Sequence, residues 1–293
     1  MNNHESLPEN APDFDIEIQT SYINPEELIP EDLEKILREG KIINIRPIEA
    51  LGRLVPPHAD QVLVANSQPV PHEDEVLEGE ISYGDKTLLV VYKPESGIGK
   101  GGMQKEFIPP KGSSPYYKKE IASWIVAKNM GLGYVFTPII ERDIGEGAGS
   151  LRPYIWGEIL FDTSEESMPP KKEFQDLAFL DFLITAVDRR SENVVVTQNG
   201  RVKGIDNSLT FFGEGFFSNE PPRTSRLKII FDDSTGRPIF NKVPLPENLL
   251  QNLRIFLNQE TAIREELSQY LSEDEINGVF RRVHKLLDQE IFL

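Results

Sequence analysis

The pattern of apolar and polar positions predicts β-strands in the first half of the chain. Apolar and β-branched residues dominate several short stretches, which is typical of strands. These stretches are 42–45, 61–65, 78–83, 87–92, 134–141 and 150–156. Gly84-Asp85 separates two of them and predicts a hairpin, because these residue types accept the φ angles of a tight turn.

Helical spacing occurs twice in the first half and dominates the second half. Helices are predicted over 25–40, 116–130, 174–187 and 246–293. Ile121, Trp124 and Ile125 recur at helical spacing in the second of these. The third is apolar nearly all round, so it predicts a buried helix. Ser272 to Glu275 predicts a capping box before the last helix.

Together these elements predict an α+β protein with two lobes. A flexible acidic tail is expected over 1–24, followed by a β-rich N-lobe over 25–153 with a small, mostly antiparallel sheet and the helix 116–130. A mainly helical C-lobe is expected over 154–293. Asn199-Gly200 joins two β-rich runs in this lobe as a second hairpin.

Composition narrows the range of functions. The chain has 293 residues, no cysteine and a formal net charge of −17. These facts exclude a thiolate nucleophile and a Cys-ligated zinc site, and they disfavour nucleic acid as a partner. The four histidines lack metal-site spacing. Without a secretory signal or a transmembrane segment, the sequence predicts a cytoplasmic protein.

The most informative string is AVDRRSEN at 186–193, followed by Gly204-Ile205-Asp206. Phosphoryl transfer needs positioned Mg²⁺, neutralised phosphates and an oriented acceptor hydroxyl. Mg²⁺ takes hard oxygen ligands, usually one or two carboxylates. We therefore expect Asp188 to face an acceptor proton, and the predicted hairpin to bring Asn193 and Asp206 side by side.

These motifs resemble a family. The DRRSEN loop, the IDNSLTF segment, and VVYKP with a later helical Glu are similar to the phosphatidylinositol 3/4-kinase-related branch of the protein-kinase-like fold, especially its small bacterial members. The resemblance implies ATP and Mg²⁺ as cofactors. It implies Asp188 as catalytic aspartate in the loop 187–193, and Asn193 and Asp206 as metal ligands. Lys93 corresponds to the strand lysine that contacts ATP phosphates, and Glu120 to its helical partner.

The resemblance also places Arg152 to Gly157 near the hinge that holds adenine. Tyr154 and Trp156 are the candidate cofactor-binding residues there, although packing alone also explains Trp156. Ser208 departs from the family, which often has Gly after the metal aspartate, so the segment 205–211 is expected to be stiffer. No glycine-rich loop precedes Lys93; Pro56 to Asp60 is one candidate replacement.

Two further segments have open interpretations. Gly97 to Gly102 is similar to a Walker A loop but lacks its first glycine and its Ser or Thr, so we interpret it as part of a mobile loop over 94–115. Beyond Asp206 lie Phe211, Phe212, Phe216 and Phe217, then the basic cluster Arg223, Arg226 and Lys228. This region is either an acceptor-binding loop or a solvated one.

The predicted function is an ATP- and Mg²⁺-dependent kinase that transfers the γ-phosphoryl group to an unidentified hydroxyl acceptor. The acceptor is a protein, a lipid headgroup or a small metabolite, and the acidic charge makes a lipid the weakest of these. Two alternatives stay open. One is a pseudokinase that binds nucleotide as an interaction module, and the other is a kinase-fold AMP transferase.

Overall fold

A computed structural model describes residues 21–47, 76–96, 112–145, 147–160, 171–212, 243–289 and 291–292. The N-terminal region contains a six-stranded sheet. Its strands are β1 (Ser21–Tyr22), β2 (Lys41–Pro47), β3 (Leu77–Tyr83), β4 (Lys86–Pro94), β5 (Ile140–Asp143) and β6 (Ala148–Pro153). Their order is β2-β3-β4-β6-β5, with antiparallel pairs throughout, while β1 pairs in parallel with the start of β4.

Strand β4 is central, which explains its nearly continuous apolar sequence. One face of the sheet, with Leu88, Val90 and Tyr92 from this strand, packs against helix α1 (Pro30–Glu39). Gly40 ends α1, and a Cβ there would lie 2.1 Å from the Ile81 side chain. The close contact between helix and sheet therefore requires a glycine.

Helix α2 (Tyr116–Asn129) is buried nearly all round. It packs mainly with the C-terminal helices, and its apolar residues belong to their hydrophobic core. Those helices are α3 (Lys171–Ile184), α4 (Glu247–Asn258), α5 (Glu260–Leu267) and α6 (Glu273–Gln289).

A second, antiparallel sheet lies in the C-terminal region. Its strands are β7 (Gly157–Ile159), β8 (Val194–Thr197) and β9 (Val202–Gly204), and β8 pairs with both neighbours. Gly200 has φ +70° in the β8–β9 turn, as the Asn-Gly dipeptide predicts. A short pair, β10 (Val243–Pro244) and β11 (Ile291–Phe292), completes the described strands.

The α+β class, with an antiparallel N-terminal sheet and a helical C-terminal region, is confirmed. None of the described helices is long and apolar enough to cross a bilayer. One half of the predicted capping box is present, since Ser272 N donates to Glu275 Oε2 at 3.0 Å. The Ser272 hydroxyl also donates to this oxygen, at 2.8 Å.

Several element boundaries differ from the prediction. Residues 134–141 are not one strand: a 3₁₀ helix covers Gly133–Val135, and β5 starts only at Ile140. The predicted helix 25–40 is divided into a 3₁₀ turn, Pro25–Glu27, and α1, because proline favours the first turn of a helix. The N-terminal region therefore carries α1 as well as α2.

The remaining differences are smaller or fall outside the described residues. The expected tail over 1–24 includes Ser21 and Tyr22, which pair with β4. The predictions for 61–65, Pro56 to Asp60, Gly97 to Gly102, Phe216, Phe217 and the basic cluster Arg223, Arg226 and Lys228 lie outside the described residues.

Candidate active site

Lys93 joins two distant parts of the chain. It lies near the end of β4, and its Nζ is 2.6 Å from Glu120 Oε1 and 2.9 Å from Asp206 Oδ1. Burial opposes its charge, but the carboxylates of Asp206 and Glu120 outweigh burial and raise the pKa of Lys93 to about 12. The ammonium group is therefore charged at any physiological pH.

Glu120 is fixed through both of its oxygens. It lies on the first turns of α2 and is buried. Its second oxygen, Oε2, accepts a hydrogen bond from Ser150 Oγ on β6 at 2.8 Å. Because Ser150 is directly opposite Lys93 in the sheet, the two strands present one donor each to the same carboxylate.

Asp206 follows β9 in a backbone conformation that non-glycine residues rarely adopt, with φ 54°. Ser208 Oγ donates to its Oδ1 at 2.8 Å, the same oxygen that Lys93 contacts. Burial favours the neutral acid, but Lys93 and the Ser208 hydrogen bond hold the pKa of Asp206 well below its usual range. Its side chain is 39% exposed, so this carboxylate is charged and accessible.

Asp188 and Asn193 form a second cluster beside Asp206. Asn193 Nδ2 donates to the Asp188 carbonyl at 2.7 Å and lies 3.4 Å from Asp188 Oδ2. Arg190 Nε is 2.9 Å from Asp188 Oδ1 without hydrogen-bond geometry. Burial raises the pKa of Asp188, an effect that Arg190 opposes and the charge of Asp206 adds to.

Arg189 holds these two clusters together, although the sequence motifs did not predict this role. It is buried and donates to both carboxylate oxygens of Asp181 on α3, at 3.0–3.1 Å. Its Nη1 donates to the carbonyls of Asn193 (2.8 Å) and Ile205 (2.6 Å), and its Nη2 donates to Asn207 Oδ1. One guanidinium therefore fixes the backbone on either side of the candidate metal ligands.

A signal for this arrangement exists in the sequence. Asp181 lies in the middle of the mostly apolar helix 174–187, and a charge buried there requires a cationic partner. Arg189, which is next to Asp188 in the DRRSEN motif, is this cationic partner.

Tyr154 and Trp156 lie in the segment that links β6 to β7. Tyr154 N donates to the Leu89 carbonyl at 2.8 Å, and burial raises the pKa of its hydroxyl. Trp156 Nε1 is buried without a hydrogen-bond acceptor. Neither side chain has a described hydrogen bond to Lys93, Asp188 or Asp206.

The donor set suits Mg²⁺. Asn193 donates from Nδ2 to Asp188, and its own Oδ1 has no described donor. In Asp206, Lys93 and Ser208 both contact Oδ1, so Oδ2 has no described donor. Within the described residues, no three His, Cys, Asp or Glu side chains form a metal-binding group. One amide oxygen and one carboxylate oxygen match an ion that completes its shell with phosphate and water.

A separate cavity of about 590 Å³ lies behind the linking segment, between α1, α2 and the β8–β9 hairpin. Trp124, Phe136, Ile155, Arg201 and Lys203 are among its lining residues. None of the candidate site residues lines it, so it is distinct from the Lys93 and Asp206 cluster.

No protein-family model matches the sequence, and no curated protein matches it. Among solved structures, a proinflammatory kinase of Helicobacter pylori, CtkA, is similar to the chain with a TM-score of 0.40 and 12% identity. The match covers 73% of this chain and 91% of that one. So distant a similarity assigns no role to any residue here.

Proposed function

We propose that the protein is an ATP- and Mg²⁺-dependent phosphotransferase of the phosphatidylinositol 3/4-kinase-like class. One observation carries the proposal: Lys93 Nζ contacts Glu120 from α2 and Asp206 from the C-terminal region at the same time. A strand lysine paired with a helical glutamate, next to a metal-binding aspartate, is the arrangement that protein kinases need for catalysis.

Lys93 is placed to bind nucleotide phosphates, with Glu120 fixing its position. Asn193 Oδ1 and Asp206 Oδ2 are the oxygens that would hold Mg²⁺, which when bound neutralises charge on the phosphates. Asp206 is suited to this role because it stays ionised and partly exposed. Ser208 contacts only the oxygen that faces Lys93, so it orients the carboxylate without occupying Oδ2.

Asp188 is the candidate that accepts the proton of the acceptor hydroxyl. Its raised pKa makes it a better base than an ordinary surface aspartate. Arg190 lies 2.9 Å from Oδ1 and donates to Oδ2 at 3.3 Å, so it holds the carboxylate in place. Arg189 holds the loop that carries Asp188, because it binds the Asn193 carbonyl at the other end of that loop.

The acceptor is a hydroxyl group on a protein, a lipid headgroup or a small molecule. To find it, a cell lysate is incubated with the pure protein, Mg²⁺ and ATP labelled on either the α- or the γ-phosphate. The lysate is then separated into protein, lipid and soluble pools. We expect transfer of the γ-label alone into one pool; transfer of the α-label would instead identify an AMP transferase.

Two variants give the assay its control. Asp206→Asn removes the charge that binds Mg²⁺, and we expect a loss of transfer of at least about a hundredfold, comparable to the loss of one key electrostatic group in other enzymes. Asp85→Asn makes the same change in the exposed β3–β4 turn and should transfer at the wild-type rate. Undiminished transfer by Asp206→Asn would refute the assignment, and nucleotide binding without any transfer would favour a pseudokinase.

A further inference from the structure

Arg152 lies on the same face of the N-terminal sheet as Lys93. In the pairing of β4 with β6, Lys93 is opposite Ser150 and Val91 is opposite Arg152. Because side chains alternate along a strand, these four residues share one face. Lys93 and Ser150 both bind Glu120 on that face. Arg152 is therefore the next residue after Ser150 on the face of the sheet that carries the candidate site.

The guanidinium of Arg152 has few partners in the protein. It offers five N–H donors, yet its described hydrogen bond is from Nη1 to the carbonyl of the adjacent Pro153, at a long 3.3 Å. Nε is buried and donates to no acceptor. No described carboxylate forms an ion pair with Arg152, in contrast to the bidentate pair that Arg189 forms with Asp181.

The surrounding charge does not replace these missing partners. Burial lowers the pKa of Arg152, while the nearby carboxylates of Glu120 and Asp206 oppose that effect. Both carboxylates are already bonded to Lys93. Arg152 therefore interacts with the charge of these carboxylates, but it has no described hydrogen bond to either of them. An oxyanion bound beside Lys93 would find unused N–H donors on Arg152.

We propose that Arg152 is a second phosphate-binding cation, which together with Lys93 binds the phosphate chain of the nucleotide. A planar guanidinium matches phosphate oxygens through paired N–H donors, whereas the ammonium of Lys93 acts as a point charge. The inference rests on the proposed function, because it adds a residue to the same nucleotide site. It predicts that Arg152 contributes to the affinity for ATP but not to the affinity for adenosine, which has no phosphate.

Calorimetric titration of the full chain with adenosine and with ATP, both in the presence of Mg²⁺, tests this prediction. Arg152→Gln should weaken ATP binding about tenfold to a hundredfold, the range for a charge-assisted hydrogen bond, and adenosine binding less than about twofold. The ATP affinity of Arg152→Lys should lie between those of the wild type and Arg152→Gln, because lysine keeps the charge and loses the paired donors. Arg254→Gln, at an exposed ion pair with Glu247, is the matched control.

The outcomes separate this inference from the proposed function. An ATP-to-adenosine affinity ratio that is the same in the wild type and in Arg152→Gln overturns the inference and leaves the proposed function standing. If Arg152→Gln does not fold, Arg152→Lys takes its place, and an unchanged ratio in that variant overturns the inference equally. If the wild type binds neither compound, both the proposed function and the inference are wrong.

Discussion

The buried pair of Arg189 and Asp181 should make the stability of one variant depend strongly on pH. Their side chains are only 1% and 2% exposed. Replacing Arg189 with methionine keeps much of the apolar stem but leaves the Asp181 carboxylate inside α3 without a cation. Breaking such a pair from one side typically costs about 3–5 kcal/mol, because it strands a buried charge.

The electrostatic part of this destabilisation has an upper limit that can be calculated. A stranded Asp181 can take up a proton on folding, starting from an ordinary pKa of 3.8. At 1.36 kcal/mol per pH unit, protonation costs at most about 4.4 kcal/mol at pH 7 and about 2.3 kcal/mol at pH 5.5. The lost hydrogen bonds to the carbonyls of Asn193 and Ile205 add a penalty that does not depend on pH.

The direction of the pH effect follows from the pKa of Asp181. Burial raises this pKa in the folded protein, and Arg189 opposes the rise. Removing Arg189 therefore raises the folded pKa further above the unfolded value. A group of this kind stabilises the fold at low pH, and that stability is lost as the pH rises toward the folded pKa. We expect Arg189→Met to be less destabilised at pH 5.5 than at pH 7, by up to about 2 kcal/mol.

Urea unfolding followed by circular dichroism at the two pH values measures this difference, with the wild type at each pH as reference. The double variant Asp181→Leu with Arg189→Met is the control, because it removes both charges and should show little extra pH dependence. If Arg189→Met loses the same free energy of unfolding at pH 5.5 and pH 7, Asp181 is not a stranded buried carboxylate and the reasoning fails.

Two further predictions concern packing around the site, and urea unfolding measures both. Glu275→Gln removes the charge that lies 3.3 Å from the buried Lys119 Nζ. We expect a loss of about 3–5 kcal/mol, because the cation is left buried without its partner; a loss below about 0.5 kcal/mol, as for a surface pair, would contradict this. Gly204→Ala places a Cβ 2.8 Å from Leu177 Cδ1 and Phe136 Cε1. We expect this overpacking to lower the free energy of unfolding by about 1–3 kcal/mol. If Gly204→Ala is as stable as the wild type, the neighbouring side chains can move aside without strain and the prediction is wrong.

Much of the candidate site could be predicted because its residues interrupt strong local patterns. Lys93 ends an apolar strand, and Asp188 follows a helix that is apolar nearly all round, so each polar residue stands out. The structure brings Lys93, Glu120 and Asp206 together, and it brings Asp188 next to Asn193. Their chemical roles remain predictions until activity is measured.

Other features could not be predicted because they depend on contacts between distant residues. The run 134–141 contains Val135, Phe136 and Ile139, which favour strands, but their side chains are buried in the core of the C-terminal helices instead. Packing there overrides local preference. The pairing of Tyr22 with β4 and the left-handed backbone of Asp206 likewise follow from tertiary structure.

The distribution of apolar contacts assigns the site a second, structural role. The sheet and α1 form one hydrophobic core, whereas α2 belongs to the core of the C-terminal helices. Polar contacts join the two, including Lys93 with Glu120, Ser150 with Glu120 at 2.8 Å, and Trp124 Nε1 with Glu34 at 2.8 Å. Lys93 and Glu120, which belong to the proposed nucleotide site, are thus also among the groups that position the sheet against α2.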